Sequence, residues 1–590
     1  MNKHYLLLFS LATLGSLSAS SVRAQGPALE NGYYQVSNIS ELYWIAEQVN
    51  SGELSGNVNV KVLYNLQDNE TYTYWDQMKD IAHGNTAYTG SEGLQLWTPI
   101  GTEEHPYSGI FDGGGNTITG LFMAPDAPNY GGIFGVIYDA TIENVSSYEN
   151  ALVGKKAAGT IVGKMTGGSK VMRCYVSGSI INAIGTGDES EEAYAGGIVG
   201  EDEAGCVVSH CLYYNVSDDP EVMAVNDGNR AGIIGHSQGS IIRCVAVSGR
   251  GDTEMNAICP QVANTEGCYY DKDTFTNPES GSVTGTTWAD FNSGRICYLL
   301  NQGLADDFWY QEIHRIGYCI PVPYPGYLGF TQKVVKLPCG LYVNEPAEAD
   351  TPYDFIALND SILVTLAEGQ TIKAYEIDYS REIDPETQWH SVCLPFDIKT
   401  SSSNGFFLYT FRDLKIEEGD STLYLSPVDV LPANAPGFCT NNNFDSELRF
   451  YVKDEDRTEG LTFGGVPDTI DLKGEDWQLY GISQRTSFAE ASDDDPYRMM
   501  FLSKNKLVYG VHPFNVSPYR AVIRLKNDGS QPAATMRIGI SIEVSDDVTA
   551  LQVIEQKDDK YDMWYDLYGR PREGHQHGLY ISKNKKMMVR

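Results

Sequence analysis

Between residues 130 and 271 the apolar positions come in short runs closed by glycine or Ser-Gly, and no stretch holds them at a helical spacing. Runs of this kind predict short strands separated by tight turns. Four segments align with one another: "YGGIFGVIYDATIENVSSYEN" from Tyr130, "AGTIVGKMTGGSKVMRCYVSG" from Ala158, "AGGIVGEDEAGCVVSHCLYYN" from Ala195 and "AGIIGHSQGSIIRCVAVSG" from Ala231. Each opens on small residues, passes through an apolar strand to a glycine, turns, and enters a second strand. The closing glycines are Gly135, Gly163, Gly200 and Gly235, and a degenerate fifth copy begins at Ala257. Self-similarity at this period means stacked units, none able to bury its apolar face alone. Two or three short strands per unit fit one rung of a parallel β-helix.

The second strand carries a column, read as Asn144, Cys174, Cys211, Cys244 and Cys268. Rungs stack about 4.8 Å apart, so the column predicts a ladder of free, buried cysteines. Neighbouring side chains in such a stack point the same way, which suits thiol packing better than disulfide geometry. The C-x2-C pairs of a zinc site are missing. The fourth copy also contains Gly235-His236-Ser237-Gln238-Gly239, which matches the G-x-S-x-G pattern of a serine hydrolase. That motif needs a helix after the serine. Here "SIIRCVAVSG" follows with strand-like alternation, and the sibling turns "GKMTGG" and "GEDEAG" carry neither Ser nor His. Ser237 therefore reads as a turn residue.

Upstream, "NISELYWIAEQVNSG" (Asn38–Gly52) predicts an amphipathic helix, with Leu42, Ile45, Ala46 and Val49 on one face, Asn38 or Ser40 as cap and Gly52 as stop. A solenoid has an open end, and this helix suits a lid over it. Downstream, Thr286–Gly303 predicts a second short helix. Beyond Lys333 the repeat is gone. Strand-like runs such as "WHSVCLPFDI", "FFLYTFRDLKI", "LRFYVKD" and "YRAVIRLKN" follow one another between polar turns, the pattern of one or two β-sandwiches.

Composition narrows the function classes. Of 590 residues, 38 are Tyr and 59 Gly, as expected for a β-rich chain with many turns. The formal charge of −36 argues against nucleic acid or an anionic membrane as partner. Residues 1–24 read as a secretory signal peptide: a basic start, an apolar run from Tyr5 to Leu17, and cleavage after Ala24. No later apolar stretch is long enough for a membrane span, so an exported chain is expected.

Trp97–Val145, "WTPIGTEEHPYSGIFDGGGNTITGLFMAPDAPNYGGIFGVIYDATIENV", resembles the opening of GLUG-repeat proteins, secreted and surface proteins frequent in gut Bacteroidetes. Asn116 stands where that family usually has His. The resemblance spans roughly residues 30–330 and implies a parallel β-helix and a surface role, not a particular activity. "WHSVCLPFDI", "GLTFGGV" and "PYRAVI" resemble a β-domain found near the C-termini of secreted Bacteroidetes proteins. The last residues, with Tyr565-Asp566-Leu567-x-Gly569-Arg570 and Gly578-Leu579-Tyr580-Ile581, resemble the sorting domain of the type IX secretion system.

The fold class expected is all-β: a right-handed parallel β-helix followed by one or two β-sandwich-like domains. The organisation expected is a signal peptide (1–24), a capping region with one amphipathic helix (25–120), the GLUG-type β-helix (121–330), C-terminal β-domains (331–545) and a β tail serving as a sorting signal (546–590).

Chemistry is sparse. Asp112 and Asn116 read as turn formers, Asp454–Gly460 as an incomplete calcium loop, Asp493-Asp494-Asp495 as a solvated loop, and His575 and His577 as a solvated pair. The acidic turns Asp188, Glu189, Glu191, Glu192 and Glu201, Asp202, Glu203 are candidate carboxylate clusters for glycoside chemistry. They lack the basic residues that an acidic polysaccharide would want. No catalytic, cofactor-binding or metal-ligating residue is assigned, and no cofactor is expected. The reading is an adhesin-like protein that binds a glycan or a surface protein, without membrane insertion, through exposed tyrosines such as those of "CLYYN" and "CYYDKD". The alternative is a carbohydrate-active β-helix enzyme, a polysaccharide lyase or glycoside hydrolase.

Overall fold

The computed structural model describes residues 26–541 apart from 85–92, 125, 188–191, 216–220, 225–228, 249–254, 262–263, 276–282, 314–319, 326–330, 347, 349–350, 361, 363, 365, 367–369, 418–419, 442, 466, 473–476, 484, 489–496, 504–505, 510–513 and 527–537. Beyond 541 it describes 564–566, 571–572, 578–582 and 585–589. The signal peptide, Asp188, Glu189, Glu191, the Asp493–Asp495 loop, His575 and His577 lie outside these residues. The chain is predominantly β and divides into two compact units at Gly285/Thr286. The stretch 286–330, grouped with the repeats on sequence, belongs to the second unit.

In the first unit the chain visits five parallel sheets in a fixed order. One full turn runs through Thr141–Glu143 (first sheet), Ser146–Tyr148 (second), Ala151–Gly154 (third), Ala157–Gly159 (fourth) and Val162–Thr166 (fifth). The next runs through Lys170–Met172, Tyr175–Ser177, Ile180–Ala183, Tyr194–Gly196 and Val199–Asp202, and a third begins at Val207. Each of these turns therefore holds five short strands, more than the two or three expected. Short strands joined by two-residue corners leave too little alternation in any one run for five to be counted from sequence.

Turns stack in register. In the first sheet Val60 pairs with Phe111, Phe111 with Ile142, Ile142 with Val171, Val171 with Val208 and Val208 with Ile241. Ile133, Ile161, Ile198 and Ile233 form a second interior line, in which Ile161 N bonds Ile198 O, Ile198 N bonds Ile233 O, and Ile133 N bonds Thr160 O. All of these side chains are fully buried. Burial of each contributes about 1.5–3 kcal/mol, and only the stack provides it, because each turn's apolar edge is covered by its neighbours.

The first sheet begins before the repeats, with Tyr33–Val36 and Val60–Val62 already parallel within it. Helix α1 (Ile39–Asn50) connects these two strands and buries Leu42, Ile45, Ala46 and Val49, the face the spacing predicts. Asn38 Oδ1 accepts from Glu41 N at 3.1 Å and Glu41 Oε2 from Ser37 N at 2.7 Å, so the helix start is closed reciprocally. Tyr43 sits edge-on to Trp97, and Asn50 bonds Pro99 O and Gly101 N, which ties α1 to the turn above. The capping region holds a second helix that sequence reasoning missed, α2 (Thr71–Ala82). Its Thr, Tyr and Trp content is strand-like by propensity. Met78, Ile81 and Ala82 are buried, and Asn182 Nδ2 on the third sheet donates to Ala82 O at 2.7 Å.

The cysteine ladder is present. Cys174, Cys211, Cys244 and Cys268 are free and fully buried, each at the corner between the first and second sheets. Its lowest member is corrected to Val145. Tyr175 N bonds Val145 O just as Leu212 N bonds Cys174 O. Asn144 instead belongs to the preceding column, Asn144, Arg173, His210, Arg243 and Gly267, whose φ values run from 50° to 60°. The chain turns the corner through this left-handed residue.

In the second unit, the helix expected over 286–303 is two, α3 (Trp288–Asn292) and α4 (Arg295–Asn301), separated by Gly294 at φ 81°. A four-stranded sheet holds Tyr353–Leu358, Thr371–Glu382, Glu447–Lys453 and Leu461–Gly464. Two five-stranded sheets are centred on Phe407–Glu417 and on Arg520–Lys526. Trp389, Phe411, Leu423, Phe438, Leu479, Met500 and Ile523 pack as one core between them. The tail strands 564–566, 571–572, 578–582 and 585–589 form a separate antiparallel sheet.

Two outcomes follow. The ten described cysteines are free and buried, so a thiol reagent should label none of them in the native protein and all of them in denaturant, with no mass difference between reduced and non-reduced samples. A Cβ at Gly200 would stand 2.5 Å from Gly163 O and 2.8 Å from Ala158 N. Gly200→Ala should therefore cost about 3 kcal/mol in denaturant unfolding.

Candidate functional site

The column Gly163, Gly200 and Gly235 sets the geometry of one outward strip. A Cβ would meet Tyr130 Cβ at 2.8 Å from Gly163 and Ala195 N at 2.7 Å from Gly235. Without side chains there, the fifth strand of one turn lies against the fourth strand of the turn before it. Residues at their outer positions then meet. Tyr130, Ala157 and Tyr194 are in register on the fourth sheet, and Val136, Lys164, Glu201 and His236 on the fifth.

Lys164 Nζ lies 5.4 Å from the Tyr130 ring centroid and 3.3 Å from carboxylate oxygens of both Glu201 and Glu203. Burial pulls the Lys164 ammonium down, but Glu201 overcomes it and the net pKa is raised. The Tyr194 ring stacks on His236, centroids 4.7 Å apart at 29°. Tyr194 OH donates to Glu192 Oε2 at 2.5 Å, and burial together with that carboxylate pushes the phenol up to about 12. His236 Nδ1 is enclosed with no hydrogen-bond partner among the described residues. Tyr130 is buried, 7% exposed, beneath Lys164, so the rings that reach the surface here are the half-buried Tyr194 and His236, beside a cation and carboxylate acceptors.

The acidic turn is split by alternation. Glu201 and Glu203 point to Lys164, whereas Asp202 is 2% exposed. It accepts from Ser237 Oγ at 3.1 Å, Gln238 N at 2.7 Å and Gly239 N at 3.0 Å. Burial raises its pKa against these three bonds. Asp202 therefore holds the next turn's loop in place. Ser237 is 7% exposed and bonded to a carboxylate, and a strand, Ser240–Ile242, follows it. The G-x-S-x-G match is a loop with a structural serine.

The remaining candidates are also structural. Asp112 Oδ1 accepts from Gly114 N at 2.9 Å and Asn144 Nδ2 at 2.8 Å. Asn116 Nδ2 donates to Val62 O and Gly113 O. Asp454 Oδ2 is taken by the backbone N–H groups of Thr458, Glu459 and Gly460, which lower its pKa. Of the tyrosines expected outside, Tyr213 and Tyr214 are buried. Tyr213 fills the interior against Gly197 and Gly232, where a Cβ would come within 2.3 and 2.9 Å of its ring. Sequence reasoning missed Tyr130, Lys164 and Tyr194. The available signal was position: Lys164, Glu201 and His236 each directly follow a closing glycine.

On the left-handed corner, Arg173 Nε donates to Asn144 Oδ1 at 2.7 Å and pairs with Glu143 at 2.5 Å. His210 is buried between Arg173 and Arg243. Burial, then Arg243 and Arg173, lower its pKa to about 4.

No family model and no curated protein matches this chain. Among solved structures, a "putative immunoglobulin A1 protease" from Bacteroides ovatus is similar over 51% of this chain and 94% of its own, at 17% identity and a TM-score of 0.32. A likeness at that level carries no inference about fold or activity here.

His210 gives a signed pH test. Unfolded, its pKa is about 6.5; folded, it is lowered to about 4. The unfolded chain binds the extra proton, so stability due to neutral His210 is complete above pH 6.5 and is lost as pH falls towards 4. Asp68, raised to about 6 mainly by burial, acts in the opposite sense. The difference between wild type and His210→Gln in unfolding free energy should therefore change with pH between 6.5 and 4 and be flat above.

Proposed function

We propose that this chain is a secreted or cell-surface glycan-binding protein of adhesin type, without catalysis. In this reading the first unit is a right-handed parallel β-helix of GLUG type, and the second holds β-sandwich-like domains. Residues 1–24 direct export, and the tail is a type IX sorting signal. The observation that carries the reading is the Tyr194–His236 stack, in line with the Lys164–Glu201 pair on the outer faces of consecutive turns. Aromatic rings take the apolar faces of sugar rings, while carboxylates and an ammonium bond hydroxyls. Consecutive turns in register set these groups in a row, which suits a polymer. Catalysis fits less well: Glu201 and Glu203 share one lysine, and Asp202 and Ser237 are enclosed in a loop.

Residues 25–590 incubated with plant, mucin and matrix polysaccharides should be retained on at least one without releasing oligosaccharide. Tyr194→Ala should weaken retention about tenfold, or roughly 1.4 kcal/mol, and Ser237→Ala should leave it unchanged. Release abolished by Glu201→Gln or Glu203→Gln would establish the enzyme instead. Retention on no polymer would redirect the strip to a protein partner.

A further inference from the structure

The second unit buries a guanidinium that no described carboxylate pairs with. Arg381 and Tyr379 share one face of the strand Thr371–Glu382, and Arg381 is 5% exposed. Its Nη2 donates to Ser391 O at 3.1 Å. Its Nε and Nη1 are enclosed and meet no hydrogen-bond acceptor among the described residues. The neighbouring Arg520 is fully matched: it pairs with both oxygens of Asp360 and donates to Tyr379 Oη at 3.1 Å and Pro518 O at 3.0 Å. Tyr379 OH also donates to Asp360, at 2.9 Å. Asp360 thus bonds Arg520 and Tyr379, and among the described residues no carboxylate bonds Arg381.

The surroundings do not relieve the excess. His390, 8% exposed, sets a ring nitrogen 3.0 Å from Thr387 O, and its pKa is lowered to about 4 by burial and then by Arg381. It is therefore neutral. Arg381 cannot follow by releasing its proton, since a guanidinium stays charged in proteins. An uncompensated buried charge costs several kcal/mol. A water molecule would satisfy the two N–H groups but not the charge. Two segments singled out on sequence converge here: "WHSVCLPFDI" supplies His390 and Ser391, and "PYRAVI" supplies Arg520, with Ala521 N bonded to Ser391 Oγ at 3.2 Å.

We propose that Arg381 Nε and Nη1 hold a monovalent inorganic anion of chloride size inside the second unit. The near-complete burial of Arg381 excludes a larger organic acid. The anion neutralises the second guanidinium and belongs to the folded state alone, so it stabilises by mass action.

The test uses residues 25–590 at one pH and ionic strength. Unfolding in sodium chloride or bromide should occur about 4 °C higher than in sodium gluconate. The shift should saturate with halide and vanish in Arg381→Met. Crystals in bromide should show an anomalous peak within hydrogen-bond distance of Arg381 Nε or Nη1, which decides the matter even if Arg381→Met does not fold. Equal midpoints in all three salts with no bromide peak at Arg381 would overturn the proposal in favour of water. A halide shift retained in Arg381→Met would overturn it as well.

Discussion

The first unit depends on a contact that only glycine permits. Gly163, Gly200 and Gly235 let the fifth strand of one turn touch the fourth strand of the turn before it, backbone against backbone. A methyl group at any of them would push those strands apart and break the register of every neighbouring turn. With the contact in place, interior lines such as Ile133, Ile161, Ile198 and Ile233 close without gaps. The same contact brings Tyr130 beside Lys164 and Tyr194 beside His236. Core and outer strip are therefore two faces of one packing constraint.

The corner between the first and second sheets shows the cost of a regular stack. Asn144, Arg173, His210 and Arg243 all adopt a left-handed backbone that glycine would take without strain, and each costs about 1 kcal/mol. Their side chains offset part of this by bonding along the stack: Arg173 reaches both Asn144 and Glu143 in the turn below. One residue further on, the chain points inward and the thiol column begins. Thiols suit that line because they are small, polarisable and content without strong partners.

Polar groups that a hydrolase would use serve packing here. Asp202 and Ser237 close a loop, Asp112 and Asn144 close another, and Asp454 organises its own turn. Nearer the surface, Lys164 pairs with Glu201 and Glu203, and Tyr194 stacks on His236. The second unit is built differently, around a buried polar centre in which Asp360, Tyr379 and Arg520 are mutually satisfied and Arg381 is not.

Several features were legible from the residues alone. The repeat, its closing glycines, the free cysteines and the buried face of α1 each leave a periodic mark, and periodicity is the direct imprint of a surface removed from water. Five strands per turn, the second helix and the fate of individual carboxylates were not legible. The offset that puts Val145, not Asn144, beneath Cys174 depends on backbone hydrogen bonds between turns. Tyr213 looks like a surface aromatic until Gly197 and Gly232 are seen to make room for it. Likewise, Glu201 and Asp202 are adjacent acids in sequence, yet one faces a lysine outside and the other a loop within. Sequence alone determined which residues recur. Only the tertiary structure decided which neighbours they meet, because those neighbours come from the next turn of the chain.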